Sequence, residues 1–510
     1  MKPLVLLHDA LDAAVRRSPS APALTFADAT LTYAEFGDTT LRAADWLAGH
    51  GVSRGDRVVV IAPNHPGVAV LTYACSRIGA VFVLLHEQVR GAGLTHVLAD
   101  AEPALVITDN VDARDLASAQ GAVTVSLEEF SQLVLSANQT AHPSNAATKN
   151  APLSIDPICL IYTSGSTGLP KAVVSTHAQV LFAAQAIQEC LGYRADDVIY
   201  GPLPLSFDYG LYQLFLSTLA GAHLWLGGSA DQGPTLLRNL RRSQATVLPA
   251  VPSLADNLAK MLGRYGGTLP LRLLTNTGAA MPEGTVSALR GFLPELHVQL
   301  MFGLTECKRV SIMPPDEDLR RPGASGKPLP GTEVFVLDDD GKPVPPGTIG
   351  ELVVRGPHVM AGYWRRPELT AQRFPRADGL FPELRTGDYG WLDADGFLYF
   401  SGRRDDLYKS RGFRVSATEV EAAALRIPGV EAAAVVPPKA GGLTEPVLFA
   451  VGKLDPVELL ARLRDEIEPY KVPDRCVPID ALPLTSNGKT DRKALEASLG
   501  APDPKSMEQP

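Results

Sequence analysis

The chain has 510 residues, 45% hydrophobic and 20% charged, with a formal net charge of −9. That length exceeds one ordinary hydrophobic core, so two or more domains are expected. The acidic balance argues against nucleic acid as the main partner, since such proteins carry a basic face, and any bound nucleotide must be held by local donors and a metal ion.

Helical and strand patterns alternate from the start. Residues 6–17 place Leu7, Leu11, Ala14 and Val15 on one helical face. Residues 57–62 read as a buried strand followed by a Pro/Asn turn, 68–78 as a helix, and 80–85 and 104–108 as further strands. Such alternation predicts a parallel, doubly wound sheet. Residues 136–153 are polar and aperiodic and predict a mobile connection. From 332 to 355 the texture changes to short strands and turns, with 333–337 and 350–355 as strands, which fits a β-rich subdomain. A compact α+β unit then runs from Asp405 to Leu499, with a helix over 419–425, a strand over 430–436 and a helix over 457–468. The fold class expected is α/β: a large multi-subdomain N-terminal domain (1–404) with doubly wound sheets and a β-rich subdomain, then a small C-terminal domain (405–499). The tail, 500–510, is expected to be disordered.

The five cysteines, Cys75, Cys159, Cys190, Cys307 and Cys476, show no Cys-x-x-Cys spacing. Their odd number in a long chain reads as reduced thiols rather than a disulfide framework or a zinc site. Cys307 has no histidine paired with it in sequence and reads as a packing residue. The apolar run Leu4–Leu7 stops at His8 and Asp9, too short for a signal segment. No run approaches the ~18 apolar residues of a membrane span. Cytoplasm is the expected location.

Residues 162–171 read Tyr-Thr-Ser-Gly-Ser-Thr-Gly-Leu-Pro-Lys, and the apolar run 158–162 predicts that this loop leaves the end of a strand. Gly165 and Gly168 permit positive φ and close backbone approach. The hydroxyls of Thr163, Ser164, Ser166 and Thr167, with backbone N–H groups, can donate to phosphate oxygens, and Lys171 adds positive charge. The Walker pattern is absent: the glycines are three apart, Lys171 follows Pro170, and Ala172 stands where that pattern needs a hydroxyl. A plain Gly/Ser surface turn is the alternative for this segment alone.

The loop resembles the phosphate-binding signature of the AMP-forming adenylating enzymes, which include acyl- and aryl-CoA synthetases, peptide-synthetase adenylation domains and luciferase. Further segments resemble that family's motifs. Met301-Phe302-Gly303-Leu304-Thr305-Glu306 is similar to its aromatic-Gly-x-Thr-Glu motif. This implies adenine stacking on Phe302 beside Gly303, an α-phosphate contact from Thr305, and magnesium at Glu306. Gly278-Ala279-Ala280, after the strand 271–274, is a shorter match to the segment between adenine and the acyl pocket. Thr386-Gly387-Asp388 resembles the family's Thr-Gly-Asp, implying that Asp388 accepts both ribose hydroxyls. Arg403 resembles the arginine that reaches ribose and phosphate, and Asp405 falls at the family's hinge, which makes the small domain mobile. The segment 483–489 resembles Pro-x-Thr-x-x-Gly-Lys, implying that Lys489 bridges carboxylate and α-phosphate during adenylation. Lys409-Ser410-Arg411-Gly412-Phe413-Arg414 resembles Lys-x-x-Gly-x-Arg, implying a thiol tunnel at Lys409 and Gly412 once the small domain rotates.

The resemblance covers residues 1–498. It implies that a small-molecule carboxylic acid reacts with ATP and Mg2+ to give acyl-AMP and pyrophosphate. The acyl group then passes to a thiol, either CoA or the phosphopantetheine of a separate acyl carrier protein. Neither nucleic acid nor a membrane span enters. Transfer of the adenylate to an amine, or activation of nitrite for diazotisation, are the alternatives. A non-catalytic adenylate-binding module is disfavoured by Lys171, Glu306, Asp388 and Lys489.

The pattern breaks at the acid pocket. Many acyl-CoA synthetases carry Pro-Leu-Phe-His, whereas this chain reads Pro204-Leu205-Ser206-Phe207-Asp208. Phe207 replaces the gating histidine, and Phe207-Asp208 resembles the Phe-Asp of peptide-synthetase adenylation domains, whose aspartate pairs with a substrate ammonium. A carboxylate beside an apolar pocket is costly unless paired. Asp208 either meets a cationic or donating substituent or caps the helix that follows. Gly278-Ala279-Ala280 follows the acyl/aryl style, against an ordinary amino acid. Lys308 and Arg309 either anchor an anionic group or form surface salt bridges.

Overall fold

Strand Arg57–Ile61 sends Val58 and Val60 into one buried face and Val59 and Ile61 into the other. The two-residue period of a strand forces this split, and burial on both faces explains the unbroken apolar run. Val81–Leu85 and Leu105–Thr108 lie parallel to it and divide in the same way. The computed structural model describes residues 3–135, 151–163, 170–228, 231, 233–377, 379–403, 407–410, 413–438, 443, 445–467, 471–485 and 490–499. The expected tail, and all but 151–153 of the expected connection, lie outside the described residues.

The chain divides into two compact units, Met1–Val334 with Val353–Arg385, and Phe335–Leu352 with Thr386–Pro510. In the first unit a seven-stranded sheet runs Gly362–Tyr363, Lys171–Thr176, Pro157–Thr163, Val81–Leu85, Arg57–Ile61, Leu105–Thr108, Val123–Val125. A nine-stranded sheet runs Lys327–Pro328, Ser311–Ile312, His297–Phe302, Leu273–Asn276, Val247–Ala250, Val198–Gly201, His223–Leu226, Pro22–Phe26, Ala29–Thr32. The helices Leu7–Arg17, Tyr33–Gly49, Pro66–Ile78, His177–Leu191 and Asp208–Ala220 share one apolar core with the inner faces of both sheets. Gly91–Ala101 and Val111–Ala119 cover the outer face of the smaller sheet. Pro234–Ser243, Pro252–Tyr265 and Glu283–Phe292 cover that of the larger. Helices alternating with parallel strands on both faces are the doubly wound arrangement expected from the sequence.

The second unit holds the helices Ala417–Arg426 and Pro456–Glu466, capped by Ser416 and Asp455, around a core that includes Val420, Leu448 and Leu463. Strand Val430–Val436 pairs antiparallel with Val447–Gly452. The β-rich segments 335–352 and 386–403 group with this unit. Among the described residues no helix is long and apolar enough to cross a membrane.

One buried carboxylate pins the larger sheet from below. Asp197, Thr246 and Arg272 each stand immediately before one of the parallel strands Val198–Gly201, Val247–Ala250 and Leu273–Asn276. Asp197 accepts from Arg272 Nε at 2.7 Å, Thr246 Oγ1 at 2.8 Å and the Arg194 amide at 2.7 Å. Burial alone would raise its pKa, but these donors and the Arg272 charge outweigh burial and hold the carboxyl below its ordinary value. Its stabilisation is therefore present above the unfolded carboxyl pKa of about 4 and is lost as pH falls through the depressed folded value. Arg272→Ala is expected to cost about 3 kcal/mol, the low end for a buried pair, because the guanidinium edge meets water. Denaturant titration at pH 7 checks this, and the gap from wild type should narrow on acidification.

Candidate active site

The opposite edge of the same sheet collects the motif residues. The strands ending at Gly201, Asn276 and Phe302 are followed by the loop to Phe207, by Thr277-Gly278-Ala279, and by Gly303-Leu304-Thr305-Glu306. In open parallel sheets, the carboxyl ends of the strands are where ligands settle.

Pro157–Thr163 and Lys171–Thr176 pair antiparallel, with Thr163 opposite Lys171. The phosphate-loop candidate is thus the connection of a β-hairpin that leaves a strand, as its apolar prefix predicts. Thr163 and Lys171 are placed, whereas Ser164, Gly165, Ser166, Thr167 and Gly168 lie outside the described residues. Ala172 is buried among the apolar residues outside the smaller sheet, so its methyl serves packing.

The segment after Phe302 turns back on itself. A Cβ on Gly303 would lie 2.1 Å from the Lys308 carbonyl oxygen, so only glycine fits. Lys308 itself takes φ 65°, a left-handed conformation costly for a lysine. Glu306 is buried; its backbone oxygen accepts from the Met360 amide at 2.9 Å, and its Oε1 accepts from Tyr363 Oη at 2.6 Å. Lys171 Nζ lies 4.0 Å from the centroid of the Tyr363 ring. Burial raises the Tyr363 hydroxyl pKa, Glu306 adds to the rise, and Arg373 opposes it, so the phenol stays protonated and donates. Lys171 and Glu306, 135 positions apart by residue number (306 − 171), thus meet at one tyrosine. Cys307 is fully buried and its thiol is pushed up to about 12 by burial, as suits a packing residue.

A second group of charges surrounds Tyr212. Asp208 is 7% exposed, Arg309 4% and Lys308 0%. Lys308 Nζ donates to Thr305 O at 3.0 Å and lies 5.9 Å from the Tyr212 ring centroid. Arg309 sits 5.0 Å over the Tyr209 ring and donates to Lys308 O at 2.7 Å, and its Nε is buried without a partner among the described residues. The Tyr212 hydroxyl is likewise buried and unpartnered among those residues. Burial raises its pKa well above the ordinary value; Cys159 and Asp208 reinforce this and Arg309 opposes it.

These placements bear on two alternatives left open by the sequence. Asp208 does not cap its helix: Phe207 is the N-cap, no side-chain capping bond forms, and Asp208 is the first helical residue. Lys308 and Arg309 are not surface salt-bridge residues, since both are buried and neither forms an ion pair among the described residues. Phe207 is 39% exposed, and its ring tip would lie 3.9 Å from a Cβ on Gly278, whose φ is 92°. Phe207 and Gly278 therefore share one wall. Tyr209, Tyr212 and Tyr363 were missed in the sequence. Helical spacing places 208 and 212 on one face, which offered a signal for Tyr212; nothing local marked Tyr363.

In the second unit Asp388 and Arg403 stand directly opposite each other on the antiparallel strands Phe381–Leu392 and Leu398–Arg403. Asp388 is 3% exposed, and its amide donates to Thr386 Oγ1 at 3.1 Å. Thr386 Oγ1 donates to Leu352 O, and the Gly387 amide donates to Glu351 at 3.0 Å, which fixes the turn. Lys409 lies on Leu407–Ser410, paired with Phe413–Ser416. The side chains of Arg403 and Lys409, and the residues Asp405, Gly412 and Lys489, lie outside the described residues. Leu484 and Thr490 form an isolated bridge on either side of the Lys489 segment.

Comparison with known proteins identifies the family. Residues 11–364 match the AMP-binding enzyme family and residues 419–489 match the AMP-binding enzyme C-terminal domain. A feruloyl-CoA synthase from an Amycolatopsis species is 32% identical over 501 residues, covering 95% of this chain and 97% of that protein. The structure of VinN in complex with L-aspartate superposes with TM-score 0.70 at 41% identity, covering 78% of this chain and 98% of that one. The o-succinylbenzoate CoA synthetase of Bacillus subtilis, bound to its acyl-adenylate intermediate, superposes with TM-score 0.81 at 26% identity, covering 97% and 98%. With both matched segments in order and the whole length shared, the chain belongs to the AMP-binding enzyme family, the AMP-forming adenylating enzymes with a large N-terminal and a small C-terminal domain.

Proposed function

We propose that the chain activates an amino dicarboxylic acid with ATP and Mg2+, releasing pyrophosphate, and passes the acyl group from its adenylate to a thiol. The observation that carries the choice of acid is the buried set Asp208, Lys308 and Arg309 around Tyr212. One carboxylate and two cations leave this set with a charge of +1. An amino dicarboxylate carries one positive and two negative charges, so it cancels the excess. Its ammonium meets Asp208, one carboxylate meets Arg309 and Lys308, and the other carboxylate is free to attack the α-phosphorus. Buried charges are tolerated where a partner completes them. VinN, whose structure holds L-aspartate, is 41% identical to this chain over 78% of its length.

In this reading Thr163, Ser164, Gly165, Ser166, Thr167, Gly168 and Lys171 hold the outer phosphates. Phe302, with Gly303, Gly278 and Ala279, borders adenine, and Thr305 reaches the α-phosphate. Asp388 and Arg403 take the ribose. Glu306 suits magnesium because a carboxylate is the hard oxygen donor that ion prefers. Held by Glu306, such an ion would supply positive charge for the departing pyrophosphate. Lys489 supplies charge at the reacting phosphorus. The small domain, 405–499, turns about Asp405, and Gly412 with Lys409 then lines the path of the thiol, CoA or the phosphopantetheine of a separate carrier. A cytoplasmic, reducing setting suits the five free cysteines.

The test is pyrophosphate release from ATP with a panel of acids, with hydroxylamine present to trap acyl-adenylate. Amino dicarboxylic acids should react fastest, and their deamino and half-amide analogues should react poorly. An aryl monocarboxylic acid reacting fastest would overturn the choice of substrate. Reaction with nitrite and an aryl amine in place of any acid would move the enzyme to diazotisation.

A further inference from the structure

Tyr363 stands between two charges that adenylation needs. Its hydroxyl donates to Glu306 Oε1 at 2.6 Å while its ring faces Lys171 Nζ at 4.0 Å. The ring is firmly held. Gly362 and Tyr363 pair antiparallel with Val174 and Val173, so Tyr363 lies opposite a position two residues beyond Lys171 on the same strand. Thr370 Oγ1 accepts the Tyr363 amide at 2.9 Å, and Phe374 packs edge-on with ring centroids 5.5 Å apart.

We propose that Tyr363 is a positioning residue for adenylation, fixing one oxygen of Glu306 so that the other is offered to magnesium, and setting its ring face against the Lys171 ammonium. The inference rests on the adenylation reading. A carboxylate and an ammonium free to move in a low-dielectric site attract strongly and tend to pair with each other. Direct pairing would consume the charge that each must present to the nucleotide. Tyrosine serves both without joining them: its hydroxyl donates to the carboxylate, and its ring face attracts the cation. Phenylalanine can do only the second, and leucine neither.

The experiment uses the full chain with Tyr363→Phe and Tyr363→Leu. ATP binding is measured by calorimetry over a range of magnesium concentrations without acid, so no turnover occurs, and pyrophosphate release is measured in parallel. Tyr363→Phe should raise the half-saturating magnesium concentration about tenfold, the effect of losing one donor to a charged group, with metal-free ATP affinity unchanged. Tyr363→Leu should also weaken metal-free ATP binding by about threefold through loss of the cation–π contact. In the Glu306→Gln background the Tyr363→Phe substitution should add almost nothing to the magnesium requirement, because the two residues act as one unit. An unchanged magnesium requirement in Tyr363→Phe overturns the proposal. So does a fall in kcat independent of magnesium, which marks a purely structural role. If the wild type releases no pyrophosphate with any acid, the adenylation reading fails; an active wild type with an indifferent Tyr363→Phe variant removes Tyr363 alone.

Discussion

Arg309→Met is expected to lower kcat/KM for an amino dicarboxylic acid by about 10²–10³-fold. Truncating one partner of a buried, hydrogen-bonded charge pair costs roughly 2–5 kcal/mol, and each 1.4 kcal/mol is tenfold. Arg309 is 4% exposed, and its Nε lacks a partner among the described residues, so a bound carboxylate would be largely desolvated. Methionine keeps an unbranched apolar stem and removes the charge, together with the hydrogen bond to Lys308 O and the contact over the Tyr209 ring. The loss should be confined to acids with a second carboxylate, and the half-amide, already poor, should change little. Stability supplies an independent readout. Removing a buried cation that forms no ion pair among the described residues should offset the lost hydrogen bond to Lys308 O and leave the unfolding midpoint unchanged or raise it, as sites built for ligands are often not optimised for stability. A lowered midpoint with equal loss on every acid would make Arg309 a structural residue and remove the basis for the second carboxylate.

Lys489→Ala should lower adenylation about 10²-fold, roughly 3 kcal/mol of transition-state stabilisation from one lost charge contact. Transfer of the acyl group from supplied acyl-adenylate to the thiol should survive, because in the proposed cycle the lysine loop has left the site by then. Measuring ATP–pyrophosphate exchange beside thioester formation from supplied adenylate separates the two steps. Equal losses in both would contradict the assignment of Lys489 to the first alone.

Much of this was readable from residue order. The loop after 163, the Phe302–Glu306 segment and the Asp388 turn stand out in the sequence because the phosphate, adenine and ribose roles proposed for them fall on short contiguous stretches of glycine, hydroxyl and acid. The central strands were equally plain, since burial on both faces leaves an unmistakable apolar run at Arg57–Ile61. The acid pocket was less legible. Asp208 sits where a capping residue and a ligand-binding residue look alike in sequence, and the structure shows that no capping bond forms. Lys308 and Arg309 left an anion anchor and a surface salt bridge both open because nothing local shows the turn that buries them; the close approach of Lys308 O to Gly303 does that. Tyr363 was invisible for a different reason. Strand pairing sets it beside the Lys171 strand and its hydroxyl reaches Glu306, and no local pattern links these segments. The grouping of 335–352 and 386–403 with the C-terminal unit likewise depends on long-range packing rather than on composition.

The cramped turn at Gly303 bears on how the acid preference could be re-engineered. With 2.1 Å between a hypothetical methyl and neighbouring backbone, and Lys308 held at φ 65°, this stretch tolerates little side-chain diversity. A randomised library spread over 303–309 would return mostly misfolded clones. Effort is better placed at Phe207, Ala279 and Ala280, which are at least partly solvent-facing, so that new shapes can be sampled there without disturbing the scaffold.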